Sequence, residues 1–141
     1  MRKVGLASVL ALGFVLTVSA EPPQRGSGMN QSLIARGRYL VVDAGKCGDC
    51  HTPMKMGKPI QSQFLHGATI PFKPIGPVPG WTAVSPRIAG LPGWTEEQGI
   101  TFFTTGKKPN GTEAGPSMPA YRFNHADASA IVAYLKSLGG K

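Results

Sequence analysis

The sequence predicts a small all-α domain with about three helices and one long irregular segment rich in proline and glycine. Apolar residues recur at helical spacing in several capped segments, and no useful stretch alternates apolar and polar residues as a half-buried strand would. Residues 52–94 carry eight prolines, which excludes regular helix over most of these 43 residues. A domain of this size has a limited core, so we expect a bound group to complete it.

The first 20 residues predict a secretory signal peptide. Residues 1–3 carry two positive charges, residues 4–18 carry none, and small residues precede a cleavage site after Ala20. The alternative is an uncleaved membrane anchor, but 15 uncharged residues are short for a helix that needs about 20 to span a bilayer. We therefore expect a mature chain of 121 residues from about Glu21, without a membrane segment. In a bacterium this chain would be periplasmic.

Residues 21–29 are rich in proline, glycine and serine and predict a flexible lead-in to a domain that covers residues 30–141. A first helix is predicted over residues 31–44, with Asn30 as its N-cap and Gly45 at its end. Gly37 lowers helix propensity by roughly 1 kcal/mol relative to alanine, which favours a close helix crossing there. The apolar face expected for this helix consists of Leu33, Gly37, Leu40, Val41 and Ala44.

Cys47, Cys50 and His51 form a C-x-x-C-H run, which is typical of covalent c-type haem attachment. Two thiols on one helical turn can bond to the two vinyl groups on one edge of a porphyrin. The imidazole that follows can then stand under the iron as the proximal ligand. The chain has no other cysteine.

Three other interpretations of this run are a redox pair, a zinc site and a disulfide. A thioredoxin-like redox pair expects a βαβ context, which the sequence lacks. A zinc site would need two further ligands, and only the distant His66 and His125 remain. A disulfide would leave the adjacent His51 without a role.

Residues 52–94 are too long for an ordinary structureless loop in a compact domain. A haem with large apolar faces could order such a segment by contact, and a partly disordered insert is the alternative. The residues expected to pack against the haem are Phe64, Ile70, Phe72, Ile75, Val78 and Trp81.

Two further helices are predicted. Thr95 to Gln98 has the form of a capping box and opens a helix that ends near Thr105. Asn124 caps the last helix, which stops at the glycine pair after Leu138. The apolar stripe of this last helix consists of Ala128, Ile131, Val132, Leu135 and Leu138.

An electron-carrying haem iron takes a second axial ligand. Met118 is the favoured candidate, because prolines on both sides make its loop rigid. His125 is the second choice, although its place in the first turn of a helix favours a surface role. Met54 and Met56 follow His51 closely and are expected on the proximal side, and His66 is expected to face solvent or a propionate.

The attachment run, the helix before it, the Met118-Pro119 loop and the final helix resemble a single-haem cytochrome c domain of the Met/His type. Residues 36–41 and 86–94 are similar to cytochrome subunits of periplasmic dehydrogenases for alcohols and sugar acids. Those subunits carry several haem domains and a membrane anchor, whereas this sequence predicts one domain and no anchor.

The resemblance implies a cytochrome c fold in which the first and last helices cross near Gly37 and Tyr134. It implies that a backbone carbonyl, often that of a proline, accepts the second ring N–H of His51. Trp81 and Arg87 are candidates for hydrogen bonds to the haem propionates. The prolines considered for the carbonyl, without a choice among them, are Pro59, Pro71, Pro74 and Pro77.

The full chain has a net charge of +8, and removal of Arg2 and Lys3 with the signal peptide leaves +6. Two haem propionates would lower this to +4. The basic residues are scattered and do not interleave with aromatics, which argues against nucleic acid and favours an acidic redox protein such as a dehydrogenase or terminal oxidase. The lysines expected around the exposed haem edge are Lys46, Lys55, Lys58 and Lys107.

The predicted function is one-electron transfer by a periplasmic carrier that is not itself an enzyme. One covalent haem c would cycle between Fe(III) and Fe(II) with His51 and Met118 bound. An alternative is a dedicated electron-transfer subunit of a dehydrogenase or oxidase complex. A haem enzyme or gas sensor with a labile distal ligand is a further alternative.

Overall fold

The computed structural model describes residues 25–139, so the predicted signal peptide lies outside the described residues. Helix α1 spans Arg25–Arg38 and continues as a π-helical turn over Tyr39–Ala44. The predicted start at residue 31 was wrong: residues 25–29 are helical, and Asn30 lies inside the helix. The chain has no proline between residues 24 and 52, so nothing in the backbone prevents this N-terminal extension.

The remaining helices lie close to their predicted bounds. The attachment run forms the short helix α2, Gly48–His51. Helix α3 spans Glu96–Thr105, with the predicted capping box at Thr95 and a left-handed Gly106 at its end. Helix α4 spans His125–Ser137, and the Asn124 side chain accepts a hydrogen bond from the Asp127 backbone N–H.

The structure is predominantly helical, but the all-α prediction was wrong in detail, since two antiparallel two-stranded sheets lie in the irregular segment. Strands β1 (Met54–Lys55) and β2 (Lys58–Pro59) form a hairpin. Met56 and Gly57 both have positive φ, as a two-residue type I′ turn requires. Strands of two residues are too short to produce a detectable alternation in the sequence.

The second sheet pairs β3 (Ala68–Thr69) with β4 (Val84–Ser85) and closes the base of an excursion between them. Within this excursion the rings of Phe72 and Trp81 meet edge to face at 5.7 Å. Ile75, one of the residues expected to pack against the haem, is fully exposed on the protein, and its contact with the haem stays a prediction. Ile70 is buried and Phe64 half-buried, while Phe72 and Val78 are exposed.

The core lies between α1 with its π-helical turn, α3 and α4. The predicted stripe of α4 is buried except at Leu138, which is half-buried, and each fully buried aliphatic side chain stabilises the fold by roughly 1.5–3 kcal/mol. On the first helix the predicted face was wrong for Leu33 and Ala44, which are exposed, and Ile34 packs against the core instead. The buried core residues are Leu40, Val41, Leu65, Ala89, Leu91, Phe103, Ala128, Ala130, Ile131, Val132, Tyr134 and Leu135.

Helices α1 and α4 cross at Gly37, as expected. A Cβ atom added at Gly37 would overlap the Ala130 carbonyl group and lie 2.7 Å from the Cβ atom of Tyr134. The absence of a side chain therefore sets how closely the two helices approach.

Within residues 25–139 no helix combines the length and hydropathy needed to cross a bilayer.

Candidate functional site

The two cysteines and His51 lie on one helical turn. The His51 N–H donates to the Cys47 carbonyl at 3.0 Å, and the Thr52 N–H donates to the Gly48 carbonyl at 3.0 Å. Both thiols are free and half-buried, and His51 is 7% exposed. The turn therefore presents two thiols and one imidazole within five consecutive residues.

The electrostatics of this turn differ from those of a reactive thiol pair. Burial raises the pKa of the Cys47 thiol to about 11 and also raises the pKa of Cys50. Catalytic redox pairs have a lowered thiol pKa, because the thiolate is the nucleophile. Among residues 25–139 there is also no group of three or more His, Cys, Asp or Glu side chains that could hold a metal ion. Neither the redox-pair nor the zinc interpretation gains support.

The His51 imidazole is oriented by a backbone carbonyl. Its Nδ1 lies 2.8 Å from the Pro86 oxygen, and since a carbonyl only accepts, Nδ1 carries the proton and Nε2 the free lone pair. Burial lowers the pKa of His51, while the Pro86 carbonyl opposes this shift. The ring is thus neutral at pH 7 and offers Nε2 as a ligand. The expected kind of hydrogen bond is present, but Pro86 was not among the four prolines considered.

Neighbouring side chains hold the attachment turn in place. The buried Ser85 hydroxyl donates to the Cys50 carbonyl at 2.5 Å. The buried Thr52 hydroxyl accepts from the Leu65 N–H at 3.1 Å, and the Gly67 N–H donates to the His51 carbonyl at 2.8 Å. These contacts tie the turn to segments 13 to 35 residues away. The sequence alone did not predict that Ser85 and Thr52 hold the attachment turn. The one sequence feature that could have drawn attention to Ser85 is that it precedes a proline, Pro86.

Met118 is half-buried in the loop between α3 and α4. It lines a small cavity of about 40 Å³ together with Phe102, Phe103 and Tyr121. The Tyr121 hydroxyl donates to the Gly45 carbonyl at 2.7 Å. The Met118 loop is therefore fastened directly to the segment that precedes Cys47.

The other axial candidates lie elsewhere among the described residues. Met54 and Met56 are 48% and 93% exposed on the β1–β2 hairpin. His125 is exposed in the first turn of α4. His66 is half-buried in a separate surface groove, with Arg38 and Tyr134 among its lining residues.

Trp81 and Arg87 have different partners in the structure. Trp81 is half-buried against Phe72, and the exposed Arg87 donates through Nε to the Ala89 carbonyl at 3.0 Å. A role for either residue at the propionates stays a prediction. The four lysines predicted around the haem edge are all exposed, namely Lys46, Lys55, Lys58 and Lys107.

A helical domain that presents two free thiols and an oriented imidazole on one turn has the donor set of a c-type haem protein. The chain belongs to the cytochrome c family, whose sequence model matches residues 34–139.

Three curated relatives are cytochrome subunits of dehydrogenases. The chain is 36% identical to the fructose dehydrogenase cytochrome subunit of Gluconobacter japonicus, covering 75% of this chain and 22% of that protein. It is 31% identical to the cytochrome c subunit of the quinone-dependent alcohol dehydrogenase of Gluconobacter oxydans, covering 82% and 27%. It is 32% identical to the gluconate 2-dehydrogenase cytochrome c subunit of Pantoea cypripedii, covering 77% and 27%. The chain thus spans about a quarter of the length of these relatives.

Proteins of this family bind haem c covalently, and the described residues fit that group. Cys47 and Cys50 supply the two thiols, and His51 has a neutral ring with Nε2 free. With one C-x-x-C-H run, the chain has one covalent haem c site.

Proposed function

We propose that this protein is an exported one-electron carrier, a single-haem cytochrome c domain with His51 and Met118 as axial ligands. The observation that carries the proposal is the attachment turn, where two free thiols accompany an imidazole whose Nδ1 is already bonded to Pro86. Met118 is supported by its half-buried place in a loop fastened to Gly45 through Tyr121. Export is supported by the signal-peptide pattern of residues 1–20.

The bound haem supplies the reversible Fe(III)/Fe(II) couple. The chain's own residues bind, orient and shield this group. Cys47 and Cys50 attach it, and the Pro86 carbonyl keeps His51 in the tautomer with Nε2 free. Phe102 and Phe103 place apolar surface beside Met118 and limit the access of water. We assign Trp81 and Arg87 to hydrogen bonds with the propionates.

Met118→Leu is expected to remove the sixth ligand while keeping most of the side-chain volume. The oxidised protein should lose the weak near-infrared band of methionine ligation, become high-spin, and bind carbon monoxide when reduced. The absorption spectra of both oxidation states measure this. Met56→Leu, at a 93% exposed methionine, is the matched control and should leave the spectra unchanged. An unaltered low-spin spectrum in Met118→Leu would contradict the axial assignment.

We also propose that the redox partner presents an acidic surface to the exposed lysines Lys46, Lys55, Lys58 and Lys107. Complementary charges accelerate encounter, and added salt screens them. Reduction by the physiological donor should therefore slow as ionic strength rises. Stopped-flow reduction measures this, with a small uncharged reductant as the control whose rate should not change. A donor rate that is independent of salt would refute the acidic partner.

A second candidate function is a dedicated electron-transfer subunit of a dehydrogenase complex, since the relatives are themselves named as such subunits. A free carrier and a subunit differ in how tightly the partner is held. Affinity purification of the tagged chain from its native host, without cross-linking, distinguishes them. A stoichiometric dehydrogenase in the eluate supports the subunit, and a chain recovered alone supports the free carrier.

A further inference from the structure

We propose that Tyr121 is a positioning residue for Met118. Two hydrogen bonds fasten the Met118 loop, one on each side of Met118: that of Tyr121 with Gly45 and that of Ser117 with Thr82. The Tyr121 hydroxyl makes the larger contribution. This inference rests on the proposed function, because it assumes that Met118 ligates the iron. It assigns a role to Tyr121 and Ser117, which lie far from the haem-attachment turn along the sequence.

The first fastening joins the distal loop to the proximal attachment segment. Tyr121 lies three residues after Met118, and its hydroxyl donates to the Gly45 carbonyl at 2.7 Å across 76 residues of sequence. Gly45 lies two residues before Cys47, and its own N–H donates to the Leu40 carbonyl at 2.7 Å. The acceptor thus belongs to the end of the π-helical turn and not to a free loop.

The ring of Tyr121 is held independently of its hydroxyl. It stacks on Phe123 with ring centroids 5.3 Å apart and an interplanar angle of 17°. The Phe123 N–H in turn donates to the Phe103 carbonyl of α3 at 2.9 Å. Replacing Tyr121 by phenylalanine would therefore remove the hydrogen bond and keep the stack.

The second fastening lies on the other side of Met118. The hydroxyl oxygens of Ser117 and Thr82 are 3.0 Å apart, and a Cβ atom at Gly115 would lie 3.0 Å from the Gly80 carbonyl oxygen. This contact is exposed to solvent, whereas that of Tyr121 is partly buried. Because a hydrogen bond in water competes with solvent, the Tyr121 contact contributes the larger share.

The arrangement has a consequence for ligand exchange. We take displacement of Met118 from the iron to require movement of its loop, and that movement would break the hydrogen bond between Tyr121 and Gly45. A typical net hydrogen bond changes such an equilibrium roughly fivefold. Burial raises the pKa of the Tyr121 hydroxyl, so it stays protonated and donates throughout the neutral range.

The test measures displacement of Met118 by imidazole in the oxidised haem-loaded protein, followed through the near-infrared band. Tyr121→Phe should bind imidazole roughly fivefold more tightly than the unmodified protein. Ser117→Ala should shift the affinity in the same direction by less. Tyr39→Phe, at a half-exposed tyrosine of the π-helical turn, should match the unmodified protein.

A further control separates a general loss of protein stability from a loss of Met118 positioning. Asn124→Ala removes the N-cap of α4, which costs about 1 kcal/mol, and leaves the loop contacts in place. It should lower the midpoint of unfolding without changing the imidazole affinity. If Asn124→Ala tightens imidazole binding as much as Tyr121→Phe does, the positioning role is refuted.

The remaining outcomes separate this inference from the proposed function. One outcome is that the unmodified protein shows the near-infrared band and Met118→Leu loses it, while Tyr121→Phe has an unchanged imidazole affinity. In that case the positioning role of Tyr121 is refuted and the ligation of the iron by Met118 stands. If the band is absent from the unmodified protein, both are refuted. If Tyr121→Phe does not fold, Ser117→Ala decides: tighter imidazole binding supports the two-sided fastening, and unchanged binding refutes it.

Discussion

Gly37→Ala is expected to destabilise the protein by roughly 2 kcal/mol, because overpacking by up to about 3 kcal/mol outweighs the gain of roughly 1 kcal/mol in helix propensity. The added methyl group would overlap the Ala130 carbonyl group and approach the Cβ atom of Tyr134. Both obstacles belong to or adjoin the α4 backbone, so α1 and α4 must separate. Separation uncovers side chains that are now fully buried, including Ile131 and Leu135. Urea unfolding of the haem-loaded protein, followed by circular dichroism, gives the free energy of unfolding.

Gly28→Ala is the matched control in the same helix. A Cβ atom at Gly28 meets nothing within 4 Å, so only helix propensity changes and stability should rise by up to about 1 kcal/mol. The two alanine substitutions are thus expected to have opposite signs. A Gly37→Ala variant as stable as the unmodified protein would show that the two helices do not cross this closely in solution.

The double variant Cys47→Ser/Cys50→Ser is expected to lose covalent haem completely. Each thioether needs one thiol, and the chain has no third cysteine to substitute for either. Each single variant keeps one thiol and should retain some covalently bound haem. Haem-stained denaturing gels and the intact mass of the protein, both after expression with a haem-attachment system, measure the result.

The single variants also serve as controls for folding and export, since they differ from the double variant by one hydroxyl-for-thiol exchange. Haem that stays attached to the double variant through denaturation would overturn thioether attachment. The mass of the unmodified chain could instead show no haem and a Cys47–Cys50 disulfide. That result would support the disulfide interpretation. This prediction depends on whether the two thiols form thioethers and not on the fold of the chain.

Features that depend on adjacent residues were predictable. The attachment run, the capping box at Thr95 and the Asn124 cap act over three or four positions, so their chemistry is visible in the order of residues. The stripe of α4 followed from helical periodicity. The start of α1 was misplaced, because glycine and serine in residues 25–29 lower helix propensity without forbidding a helix. The two small sheets were missed, because two-residue strands leave no periodic signal.

The sequence by itself determined which groups can attach the haem, namely two thiols and an imidazole on one turn, and it supplied Met118 between prolines as the proposed second ligand. Only the tertiary structure decided which partners orient them. The Pro86 carbonyl lies 35 residues from His51, and the Gly45 carbonyl lies 76 residues from Tyr121. Any of several carbonyls could accept either hydrogen bond on chemical grounds, and the choice depends on how the chain is folded. Local chemistry is set by neighbours in sequence, whereas orientation is set by neighbours in space.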